Sequence, residues 1–171
     1  MRRSQDVYRD RVTLPTSLRR TAAVAALGAC VLLLAACTPT ISVPVAAHAT
    51  EPLCASAVLA APTVLADQPQ ARTNSQATAA WGDAGAAITL RCGVEPPQAA
   101  SEDCVAVTDA AGKEYDWIAA RTTTGWRFTS YGRSPALEVE LPATLGLSQP
   151  TAPLADLAAS LSVLPQAKTC Q

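Results

Sequence analysis

The chain has 171 residues, with 13 basic and 14 acidic side chains, a formal net charge of −1, and six cysteines against a single histidine. That length carries one domain comfortably and two poorly. No basic stripe runs through it, so nucleic acid is excluded as an expected partner.

The chain opens with six arginines (Arg2, Arg3, Arg9, Arg11, Arg19, Arg20), followed by an apolar run from Ala22 to Leu34. The run falls short of the roughly 20 residues a spanning helix needs, and its basic flank reads as a secretory signal. Its end, Leu34-Ala35-Ala36-Cys37, resembles the lipobox of bacterial lipoproteins. That resemblance implies a diacylglycerol on the Cys37 thiol, removal of residues 1–36, and Cys37 as the first mature residue. The adjacent Arg19 and Arg20 are followed by Thr21, Ala22 and Ala23 instead of the bulky apolar residues of a twin-arginine signal. The stretch before Thr21 is long for a leader, so the expected translation start is Val7 or Val12. Two acyl chains anchor stably. The expected location is therefore the outer face of the cytoplasmic membrane, with lipid on Cys37 as the membrane contact.

Removing residues 1–36 from 171 leaves 135, and takes six arginines and two aspartates with it. Seven basic and 12 acidic side chains remain, a net charge of about −5 that repels anionic headgroups. Residues 37–51 ("CTPTISVPVAAHATE") read as a lipidated cysteine and flexible tether, able to lift the domain by roughly 45 Å when extended. Residues 52–171 read as one domain.

Within it, Val58, Leu59 and Leu65 in an alanine-rich run from Cys54 predict a helix, broken near Pro62. Residues 66–80 ("ADQPQARTNSQATAA") read as a long surface loop. "AITLRC" alternates Ile88, Leu90 and Cys92 against Thr89 and Arg91, the pattern of a half-buried strand. "CVAVT" follows from Cys104 with Val105 and Val107 inward, then the turn "DAAG" from Asp109, then "EYDWIAA" with Tyr115 and Trp117 on one face. "GWRFTSYGRSPALEVELP" predicts two strands joined at Gly132 to Pro135, with Trp126 facing Leu141, Phe128 facing Val139 and Arg127 facing Glu140. Leu154, Leu157, Leu161 and Leu164 recur at helical spacing after Pro153. The sum is an α+β two-layer domain, a mostly antiparallel sheet of four to five strands with an N-terminal and a C-terminal helix.

Cys30 leaves with the leader and Cys37 goes to lipid, so Cys54, Cys92, Cys104 and Cys170 remain. Four cysteines in an exported domain predict two disulfides with three possible connectivities. A zinc site is disfavoured, since no CxxC pair exists and His48 sits in the tether. The blocks "CASAVLAAP" from Cys54, "AAWGDAGAAITLRCGV" from Ala79, "YDWI" from Tyr115 and "YGRSPALEVELP" from Tyr131 resemble the actinobacterial exported proteins grouped as domain of unknown function 3515. The resemblance covers roughly Cys54 to Leu164. It implies an envelope location, no assigned activity or catalytic residue, and a bridge from Cys54 to Cys92 that leaves Cys104 with Cys170. A bridge from Cys92 to Cys104, closing a short hairpin, is the competing pairing.

Chemistry-bearing residues are sparse. Glu138 and Glu140 point the same way from one strand and could act as acid and base, but Arg127 is their expected partner on a wet face. The folded part has no histidine to activate a serine. Lys113 at a turn and Lys168 near the end are poor bases. No catalytic, metal or cofactor site is expected. Trp81, Asp83, Tyr131 and Arg133 are the expected exposed recognition patch, while Trp117, Trp126 and Phe128 are assigned to the core. The expected function is a non-enzymatic, membrane-anchored envelope lipoprotein that binds or assists an envelope protein or glycan. The alternative is an envelope hydrolase or glycan-processing enzyme using Glu138, Glu140 or Asp83.

Overall fold

A computed structural model describes residues 39–98 and 103–170; the leader, Cys37 and Thr38 lie outside them. Among the described residues nine strands build one sheet: β1 (Thr40–Ile41), β2 (Val64–Leu65), β3 (Gln68–Thr73), β4 (Thr78–Trp81), β5 (Ile88–Val94), β6 (Cys104–Thr108), β7 (Glu114–Arg121), β8 (Gly125–Ser130) and β9 (Ala136–Pro142). Their order is β1-β3-β4-β5-β9-β8-β7-β6, with β2 also paired to β3. The β1–β3 pair is parallel and the rest are antiparallel. Helix α1 (Pro52–Leu59) and helix α2 (Ala158–Ser162), which continues a 3-10 segment over Ala152–Leu157, complete the α+β domain.

The core lies between one sheet face and this helical layer. Ile88, Leu90 and Cys92 on β5, Leu137 and Val139 on β9, Phe128 on β8 and Trp117 on β7 all point into it and are fully buried. From the helical side come Cys54, Ala57, Leu154, Leu157, Leu161 and Leu164. The C-terminal leucines thus bury as their spacing predicts, although the first turn is wound as a 3-10 helix. Val105 and Val107 are partly buried against the same core. The hairpin register is the predicted one: Trp126 pairs with Leu141, Arg127 with Glu140 and Phe128 with Val139.

The sheet is larger than the four to five strands expected. Residues 66–80 are not a loop but contain β3 and all of β4 except Trp81. The β2–β3 hairpin turns on Ala66 and Asp67, both at positive φ (49° and 60°), with Leu65 paired to Gln68. This two-residue turn has the sign of a type I′ turn without the Asn-Gly that usually marks one. β3 is an edge-side strand of mostly polar residues, and β4 (TAAW) hides its character in alanines.

The tether reading is also corrected from Pro39 onward. β1 extends the sheet, with Thr40 opposite Arg72 and Ile41 opposite Thr73. Ile41 and Val43 are buried against Ala80, with Ala71 and Ala87 around them, on the face away from the helices. Asn74 fixes the arm by accepting from the Val43 amide (3.2 Å) and donating to the Ser42 hydroxyl (3.1 Å). Farther on, the His48 amide donates to the Gly93 carbonyl at 2.8 Å. Gly93 has φ 92° at the register shift in β5, and a Cβ there would run into the His48 backbone. A side chain at this position would therefore lift the arm as well as strain the chain.

Two disulfides staple the layers: Cys54 to Cys92 (Cα–Cα 5.3 Å), joining α1 to β5, and Cys104 to Cys170 (6.1 Å), joining β6 to the C-terminal segment. These are the pairs that the family resemblance implies. Between β6 and β7, the Asp109 carboxylate accepts from the amides of Ala111 (2.8 Å) and Lys113 (2.9 Å). The Lys113 amide, foremost, holds the Asp109 pKa below its ordinary value. A depressed carboxylate stabilises the turn above its unfolded pKa and loses that contribution as pH falls through the folded value. A carboxyl-carbon NMR titration should place the Asp109 midpoint below the ordinary aspartate value; a midpoint at or above it would remove the turn bonds from solution.

Candidate functional site

The two ends of the sheet separate the residues expected to form one patch. β3, β5 and β8 begin, and β4, β7 and β9 end, at what we call the near end. Trp81 closes β4 there, is wholly buried, and donates its indole N–H to the Pro62 carbonyl at 2.7 Å. Asp83 follows on an exposed loop. Tyr131 and Arg133 lie at the far end and are 5% and 3% exposed. An exposed patch of these four is therefore ruled out: an aromatic ring ending a strand packs inward, and opposite strand ends keep the pairs apart. Trp117 and Phe128 are in the core as expected, while Trp126 is half-buried against it.

Arg133 has a structural task. Its guanidinium donates to the carbonyls of Leu161 (2.9 Å) and Leu164 and to Gln166 Oε1 (2.9 Å), and it lies over the Tyr115 ring, 5.4 Å from the centroid. Burial pushes its pKa down from the ordinary value, but a guanidinium stays charged. Beside it opens a cleft of about 240 Å³ whose walls include Pro96, Pro97, Gly132 and Pro165.

The sheet face away from the helices carries the other concentration of charge. Glu138 is 7% exposed and sits between two arginines. Arg91 on β5 donates to its Oε1 through Nε (2.7 Å), with Nη2 also at 2.7 Å. Arg127 on β8 approaches Glu138 Oε2 at 3.7 Å and donates to Glu140 Oε1 through Nε (3.0 Å) and Nη2 (2.8 Å). The Glu140 bond raises the Arg127 pKa further. Strand order explains the cluster: β9 lies between β5 and β8, so alternate residues of three strands meet on one face. Arg127 was the legible partner of Glu140. Arg91 is the partner that sequence reasoning missed; its outward place in "AITLRC" was readable, but the β5–β9 pairing was not.

Val43 and Pro44 of the docked arm border this cluster in a cleft of about 180 Å³. Toward the near end a groove of about 270 Å³ continues it, with Ser42, Thr89, Thr122, Thr124 and Glu140 in its lining. Hydroxyls and ion-paired side chains suit hydrogen bonding to a polar ligand. They do not supply a free acid and base, because each carboxylate is already engaged by a guanidinium. Among the described residues no three of His, Cys, Asp and Glu come together to hold a metal ion, and no helix is long and apolar enough to cross a membrane.

Fold and site together define a disulfide-stapled α+β domain with a charge-laced, partly covered sheet face. The chain belongs to the family of proteins of unknown function DUF3515, whose model matches residues 14–169. No curated protein and no solved structure matches it.

Proposed function

We propose that the protein is a lipid-anchored module of an actinobacterial cell envelope that works by binding an envelope protein or glycan. The observation that carries the binding reading is the Arg91–Glu138–Arg127–Glu140 cluster: its carboxylates are neutralised in pairs beside an open polar groove. The Leu34–Cys37 lipobox supports the anchor, and two disulfides suit an oxidising compartment. The hydrolase alternative would have to free Glu138 from two guanidinium groups before it could transfer a proton.

A photo-reactive residue at Thr124, on the groove rim, should yield a reproducible crosslink in intact cells. One at the exposed Asp156, on the helical side, should not. Equal capture at both positions would contradict the groove. Loss of an envelope-degrading activity on Glu138→Gln, with the fold retained, would favour the enzyme.

A further inference from the structure

The docking of residues 39–49 onto the domain changes what an anchor at Cys37 does. Two residues, Thr38 and Pro39, separate Cys37 from Thr40, and the three Cα steps span at most about 11 Å. The headgroup layer on each side of a bilayer takes up roughly 5 to 8 Å of that. β1 therefore begins within a few ångströms of the headgroup surface once Cys37 carries lipid.

The sheet register says which part of the domain is brought there. Thr40 pairs with Arg72, whereas Val64 pairs with Pro69 on the same edge of β3, three residues closer to the near end. That is a displacement of roughly 10 Å along the strand. Val64 is 53% exposed, and Leu59, at the end of the α1 that leads into β2, is 86% exposed. These apolar side chains stand uncovered where the anchor leaves the fold.

We infer that the β2–β3 corner of the sheet's near end, with Leu59 and Val64, lies against the bilayer surface, that the β7–β8 turn with Thr124, four strands across from β3, stands clear of it, and that the far end, with Val45 and the Arg133 cleft, faces away. The inference rests on the lipid anchor proposed above. It makes the domain a fixed cap on the membrane, not a head on a tether. The exposed Asp67 and Asp83 at the same end favour a zwitterionic surface over an anionic one.

The test uses the full lipidated protein in phosphatidylcholine vesicles containing a quencher-labelled phosphatidylcholine. Val64→Trp and Val45→Trp each add one exposed fluorophore, with wild type as the background. Val64→Trp should lose most of its added emission, while Val45→Trp, 59% exposed at the far end, should keep it. Hydrogen exchange of the unsubstituted protein gives a second readout, with slower exchange expected over residues 64–67 on vesicles than in lipid-free Cys37→Ser protein. Lipid on Cys37 by intact mass, with equal quenching at both positions and unchanged exchange, would overturn this orientation and leave the anchor standing. Absence of lipid on Cys37 would overturn both, and the mass alone tells the two failures apart.

Discussion

The Cys54→Ala/Cys92→Ala double variant should be less stable than wild type by about 4 kcal/mol, the chain-entropy value for a loop of this length. The bridge closes 38 residues and both cysteines are fully buried. Against a typical net stability of roughly 5 to 15 kcal/mol, that loss is large. The structure adds a reason for a local effect. α1 spans eight residues, has no side-chain cap, and buries only Cys54 and Ala57 completely. A helix of that length does not persist without tertiary support. Alanine at both sites avoids leaving an unpaired thiol. Urea unfolding should show the lowered midpoint, and hydrogen exchange should rise first in α1. An unchanged midpoint would mean that packing against α2 and β5 holds the helix without the bridge.

The same dependence on distant partners explains what was legible in the sequence. The β8–β9 hairpin was readable because its partners are close in sequence, from Thr129 and Glu138 out to Gly125 and Pro142, and the two faces differ: apolar meets apolar, and Arg127 meets Glu140. β5 and the C-terminal leucines were readable by periodicity alone. β3 and β4 were not, because the Ala66–Asp67 turn lacks a glycine, Pro69 lies inside a strand, and β4 buries alanines that carry little hydrophobic signal. In the arm, prolines and threonines masked a short alternation: Ile41 and Val43 are buried, while Thr40 and Ser42 are exposed.

The site was legible in its residues but not in its assembly. Glu138 and Glu140 shared a face as their spacing required, yet the deeper ion pair of Glu138 is with Arg91, 47 positions away. Trp81, Tyr131 and Arg133 stood out as aromatic or charged residues near turns. Their burial depended on the Pro62 carbonyl, the C-terminal segment and the ends of distant strands, none of which leaves a local mark.

Arg133→Met should destabilise the protein by about 3 kcal/mol, since hydrogen bonds to a charged donor contribute roughly 1.5 to 3 kcal/mol each and those lost here share one group. Methionine keeps an unbranched apolar stem over Tyr115 but abandons the Leu161 and Leu164 carbonyls, acceptors at the end of α2 that otherwise lie buried. Cys170 remains bonded to Cys104, so the C-terminal segment should loosen between two fixed points instead of detaching. The Ala167 amide, which donates to the Gly132 carbonyl at 2.7 Å, should be among the first to exchange. Arg133→Lys should recover only part of the loss, because one ammonium cannot match a planar fork that serves two carbonyls and Gln166. Thermal unfolding and exchange over residues 164–168 measure both effects. If Arg133→Met melted with wild type, the α2 carbonyls would have found other donors, and the buried guanidinium would be free for a ligand in the proline-lined cleft beside it.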